Sequence, residues 1–128
     1  MQLSHDVPEG YLFFRNCSPD AVTIIDRVVT RSFLLAPDRL VEDWPITQAD
    51  AFDLAAIDAL VALEPEVVLL GTGERQVFPP REAMAALLGR RIGIEVMTNA
   101  AACRTYNLLA AEGRRVVAAI MLAGDPVS

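Results

Sequence analysis

The stretch Glu66-Val67-Val68-Leu69-Leu70-Gly71-Thr72-Gly73-Glu74-Arg75-Gln76-Val77-Phe78-Pro79-Pro80 decides the fold. Residues 67–70 are apolar without polar alternation and too few for a helix, the pattern of a strand buried on both faces. They run straight into a glycine turn. The diproline beyond it suits the first turn of a helix, where a missing N–H is no loss. That helix is predicted through Leu88, with Gly89 as its stop. A second strand at 92–96 meets a second junction, Val96-Met97-Thr98-Asn99, which opens the longest helix, 99–112, ended by Gly113. The last strand is 115–122, and Gly124-Asp125-Pro126 ends the fold. Strand–helix–strand units of this kind cross over right-handedly. The segments ending at 70 and 96 are therefore expected as adjacent parallel neighbours. They open toward the sheet edge where ligands and partners dock in α/β proteins.

Upstream the pattern changes. Residues 1–10 read as a loose lead-in, 11–15 as a strand, Asn16 to Asp20 as a turn, and 22–25 as a second strand. Asp26-Arg27 reads as a tight turn and 28–36 as a third strand ended by Pro37, making an antiparallel meander. Residues 37–46 read as a connector. Thr47-Gln48-Ala49-Asp50 has the form of a capping box ahead of an amphipathic helix carrying Phe52, Ala56, Ala59, Leu60 and Leu63 and closed by Pro65. The expected architecture is α/β and three-layer. Its central sheet is mixed and mostly parallel with helices on its faces, the N-terminal antiparallel meander is additional, and 1–128 forms one domain.

Bulk properties narrow the function classes. A chain of 128 residues can bury roughly two-thirds of its unfolded surface. Hydrophobic residues make up 53% and the mean hydropathy is +0.35, yet no apolar run approaches the ~18 residues of a membrane span. The first residues lack the basic and apolar regions of a secretory signal, so the cytoplasm is the expected compartment. A net charge of −6, with 11 basic residues that are all arginine, argues against a nucleic-acid groove. Cys17, Cys103 and the single His5 match no metal spacing, so neither a metal nor a cofactor is implied. A disulfide is disfavoured without export signals. A single terminal histidine also prevents assembly of a Ser–His–Asp set.

The candidate site residues follow from the two junctions. Gly71, Thr72 and Gly73 permit positive φ and close approach of a ligand, or serve only as a turn; Gln76 stands where the dinucleotide fingerprint needs glycine. Glu74 and Arg75 lie beyond them, Arg75 being able to bind an anion, pair with Glu74 or reach water. Phe78 reads as a plug that seats the loop. Thr98 is the N-cap of the long helix, whose first N–H groups with Asn99 could attract an anion, or the cap serves its own helix alone. Asn99, Cys103, Tyr106 and Asn107 share one helical side, and polar groups on a buried face require partners. Cys103 near Arg104 reads as a buried small hydrophobe, with a lowered-pKa thiolate as the alternative. Glu95 reads as edge-exposed, with a buried acid or base as the alternative.

Taken together, Leu69-Leu70-Gly71-Thr72-Gly73, Phe78-Pro79-Pro80, Met97-Thr98, Ala101-Ala102-Cys103-Arg104-Thr105-Tyr106-Asn107 and Glu112-Gly113-Arg114-Arg115-Val116 resemble a family of small domains of uncertain function. It includes the mitochondrial complex I assembly factor and an adipogenesis-associated protein. A weaker echo lies at Ser32 to Pro37 and at Trp44. The likeness covers the chain from about Val22 onward. It implies a three-layer α/β fold with a mixed sheet and a bacterial member of the family. It carries no catalytic residues. It points to a non-catalytic interaction or assembly factor with an unidentified protein partner, possible at a membrane complex but not inserted in the membrane. The alternative is a small-anion binder or weak enzyme at the same junctions.

Overall fold

The computed structural model describes residues 10–123. Nine of the ten lead-in positions and the expected end at Gly124 to Pro126 therefore lie outside the described residues. The described chain runs β1 (Phe14–Cys17), β2 (Val22–Ile24), β3 (Arg27–Val29), β4 (Arg31–Ala36), β5 (Arg39–Val41), a short 3-10 turn (Ala49–Ala51), α1 (Leu54–Val61), β6 (Val67–Gly71), α2 (Arg81–Gly89), β7 (Gly93–Met97), α3 (Asn99–Ala111) and β8 (Val116–Ala123).

Strands β5-β4-β8-β6-β7 form the main sheet in that order. β6 pairs in parallel with β7 and with β8, while β4 is antiparallel to both β8 and β5. Four of the five strands thus point the same way. All of β6 and all but the last residue of β8 are buried, as uninterrupted apolar runs demand. Their side chains alternate between two cores. Val68, Leu70, Val117 and Ala119 meet Phe52, Ala56, Leu60 and Leu87 from the α1–α2 side. Val67, Leu69, Val116, Ala118 and Ile120 meet Ala102, Tyr106 and Ala110 of α3, together with Phe14, Val22 and Ile24 of a second sheet. That second sheet, β1-β2-β3, is the antiparallel meander. The chain leaves β6 into α2 on one face and leaves β7 into α3 on the other. The crevice between those two exits is a topological switch point, where α/β folds bind ligands and partners.

Local expectations fail where long-range packing intervenes. Residues 28–36 do not form one strand. β3 ends at Val29 in the small sheet and β4 begins at Arg31 in the large one, with an irregular register opposite Ala123 and Ile120. A run buried against two different sheets looks continuous in sequence. The connector contains β5, whose register Ala36↔Arg39 makes a tight hairpin with β4. The capping box at 47–50 is not used. Phe52 is drawn into the core beside Trp44, ring centroids 6.1 Å apart, and the helix starts after it. Asp53 is the cap, its Oδ1 accepting from the Ala56 N–H at 3.0 Å. The strand expected at 11–15 lies further on, at Phe14–Cys17, because its outer edge is set by bonds to α3. Pro80 stands one step before α2, as its N-cap.

Candidate functional site

The carboxyl ends of β6 and β7 lie side by side, Leu70 opposite Val96 and Gly71 opposite Met97. The Thr72 N–H extends the ladder by donating to the Met97 carbonyl at 3.0 Å. Beyond this point the chain is held by side chains. Gly73 adopts φ +99°, a conformation that favours glycine. Its N–H donates to Asn99 Oδ1 at 3.0 Å and its carbonyl accepts from the Asn99 N–H at 2.8 Å. Asn99 Nδ2 donates to the Met121 carbonyl at 2.9 Å, so one buried amide joins the glycine loop, the α3 start and β8. Gly71 leaves the room for it: a Cβ there would collide with Asn99 Oδ1 and stand 3.0 Å from Ile120 Cδ1.

The other polar candidates have internal partners too. Thr72 Oγ1 donates to the Arg75 carbonyl at 2.6 Å and accepts from the Val77 N–H at 3.0 Å. Thr98 Oγ1 accepts from the Ala101 N–H at 3.2 Å. The N–H groups of Asn99, Ala101 and Ala102 are all bonded within the chain, which leaves the helix start little with which to hold an anion. Gln76 Nε2 donates to the Val96 carbonyl on the outer side of β7, fastening the loop along that edge.

A cavity of about 240 Å³ opens at the switch point. It is lined by Gly73, Glu74, Thr98, Asn99 and Ala100, and by Cys17, Ser18 and Pro19 from the β1–β2 turn. Gly71 is buried beneath it, and Arg75 is exposed on the loop outside its lining. Cys103 and Arg104 belong instead to an adjoining cavity of about 270 Å³ with Phe14, Arg15, Asn16, Cys17 and Asn107. The structure thus gathers the glycine loop with Thr98 and Asn99 and sets Arg75 and Arg104 apart from them. Glu95 is exposed. A larger hollow, about 420 Å³, lies elsewhere, between Arg31, Glu42, Trp44 and Leu122.

Sequence reasoning placed a turn at Asn16 to Asp20 but missed that it lines the cavity at the switch point. The available signal was the polar stripe on α3, which required partners. Tyr106 OH donates to the Leu12 carbonyl at 2.8 Å. Asn107 accepts from the Phe14 N–H and donates to the Phe14 carbonyl, both at 2.8 Å, standing in for a neighbouring strand. Burial is the largest influence on the Cys103 thiol and pushes it well above the ordinary range. The neighbouring Cys17 adds to this, and Arg104 opposes it weakly. Cys103 is therefore a protonated thiol at neutral pH, not the thiolate of the alternative reading. Burial likewise raises the Tyr106 phenol.

The comparisons with known proteins agree with this architecture. The solution structure of a Xanthomonas campestris protein is 44% identical with a TM-score of 0.83, covering 100% of this chain and 97% of that one. A Bordetella pertussis protein described as a Mth938-like domain is 26% identical with a TM-score of 0.80, over 99% and 96% of the two chains. A "13 kDa major membrane protein" of Francisella tularensis is 40% identical over 47% of this chain and 49% of its own length. A zebrafish (Danio rerio) protein, "NADH dehydrogenase [ubiquinone] 1 alpha subcomplex assembly factor 3", is 29% identical over 81% of this chain and 60% of its own. The chain therefore spans about half to three-fifths of the length of these two curated relatives. Among the described residues, no helix is long and apolar enough to cross a membrane. With the family model matching residues 14–121, the chain belongs to the family described as "Protein of unknown function (DUF498/DUF598)".

Proposed function

We infer that this domain is a non-catalytic protein-interaction or complex-assembly factor that docks its partner through the 71–80 loop and the start of α3. The observation that carries the reading is the loop's outer end. Val77 and Phe78 are 44% and 63% exposed on a segment whose backbone is fixed from below by Thr72, Gln76 and Asn99. A rigid loop presenting an aromatic ring loses little conformational entropy on docking, which is how aromatic anchors contribute most at interfaces. The side chains of Thr72, Gln76, Thr98 and Asn99 are already paired internally, which favours docking over chemistry at this edge. The relative named as an NADH dehydrogenase assembly factor supports a protein subunit or a fellow assembly factor as the partner, met through an apolar pocket that accepts Phe78.

The test is affinity purification of the native protein beside the Phe78→Asp and Arg75→Ala variants, each first shown to unfold at the wild-type midpoint. A partner retained by Arg75→Ala and lost by Phe78→Asp is expected. Equal recovery with Phe78→Asp, or a wild type that recovers only itself, refutes the assignment. Retention that depends on Arg75 and on competing phosphate or carboxylate would instead favour the anion-binding alternative.

A further inference from the structure

The side chains of α3 meet the N-terminal segment in order. Tyr106 and Asn107 hold Leu12 and Phe14, and one turn nearer the helix start Cys103 faces the same cavity as Cys17. These are the two cysteines of the chain, and both line the same cavity of about 270 Å³. Their environments differ. Cys103 is 4% exposed, while Cys17, the last residue of β1, is half-buried and reachable from solvent. Arg15 and Arg104 line the same cavity and give its mouth an affinity for anionic reagents.

We propose that Cys17 and Cys103 form a reversible dithiol–disulfide pair. A small anionic disulfide of the glutathione type oxidises them, and the resulting bond fastens the N-terminal sheet to α3. Cys17 sulfur attacks one sulfur of the small disulfide; that S–S bond breaks, and the first small thiol leaves with the proton from Cys17. Cys103 sulfur then attacks Cys17 sulfur, the mixed S–S bond breaks, and the second small thiol leaves with the proton from Cys103. The two protein thiols lose two electrons, and one small disulfide becomes two thiols. The order follows from access, because only Cys17 can meet a reagent from outside and Cys103 faces the same cavity. A buried thiol gains nothing from ionisation, so the reduced pair lacks the stabilisation that makes a disulfide strongly oxidising. The bond should therefore persist in a modest excess of reduced glutathione.

The experiment takes the full chain through buffers of oxidised and reduced glutathione, quenches in acid, alkylates after unfolding and maps the peptides by mass. The expected product is monomeric, lighter by about 2 Da, with positions 17 and 103 linked. Closing so long a loop constrains the unfolded chain, and the oxidised protein should melt on the order of 10 °C above the reduced one. The Cys103→Ala variant should stop at a glutathione adduct on Cys17, and Cys17→Ala should acquire none while folded. Two free thiols under oxidising buffer, or a lasting Cys17 adduct in the wild type with Cys103 still open to alkylation, would overturn the proposal. The wild-type comparison stands whether or not either variant folds.

Discussion

Asn99 gives the sharpest separation between a ligand-binding group and a structural fastener. Replacing it with alanine removes an acceptor from the Gly73 N–H and a donor from the Met121 carbonyl, the latter in a residue only 3% exposed. Leaving a buried group unsatisfied costs about 1–3 kcal/mol, so the two together should cost about 2–6 kcal/mol. That is a large share of the ~5–15 kcal/mol that holds a typical domain together. With a slope of about 2 kcal/mol/M, the urea midpoint should fall by about 1–3 M. Asn99→Asp should be at least as damaging at neutral pH. It keeps an acceptor for Gly73 but sets a charged oxygen against the Met121 carbonyl, and part of the loss should return in acid, where the protonated carboxyl can donate. An Asn99→Ala variant within about 0.5 kcal/mol of wild type, with unchanged slope, would refute the fastening role and restore Asn99 as a group free for a ligand.

Further expectations follow from the same geometry. Gly71→Ala should destabilise by about 1–3 kcal/mol through overpacking, and the double variant with Asn99→Ala should cost less than the sum, because removing the amide makes room; strict additivity in urea melts would disprove the close approach. Asp53→Ala should cost about 1 kcal/mol as a lost cap, whereas Thr47→Ala should stay within about 0.5 kcal/mol, a reversal of the ranking the capping-box pattern implies. Cys103 and Tyr106 titrate higher in the fold than in the unfolded chain, so the folded state holds more protons in alkali. Stability is then full below the unfolded cysteine value of about 8.5. It falls above that by up to about 1.4 kcal/mol per pH unit, and more steeply above about 10 as tyrosine joins. A flat urea midpoint between pH 7 and 10 would contradict this.

What the sequence disclosed was local. The short apolar run ending at Leu70, the glycines after it, the diproline and the strand pattern at 92–96 were sufficient to place β6, α2, β7 and the shared edge. The same holds for the α3 start at Thr98, whose hydroxyl caps it as expected. What stayed hidden was set by distant partners. The 28–36 run divides because Val29 and Phe33 belong to different sheets, and nothing in their identities says so. The helix start moves from Thr47 to Asp53 because Phe52 must reach Trp44. Asn99 looked like a ligand group because its partners, Gly73 and Met121, lie 26 and 22 residues away. The α3 stripe did announce that partners existed. Only the fold could reveal that they were Leu12, Phe14 and Cys17.

The pairing of Asn107 with Phe14 across 93 positions has a consequence for biosynthesis. A ribosome delivers the first strand long before the amide that completes its edge, so the nascent meander emerges with an open border and no helix to cover Phe14. Chains cut short of position 107 should therefore be clients of chaperones or proteases, and docking of the amino-terminal layer should come late in folding.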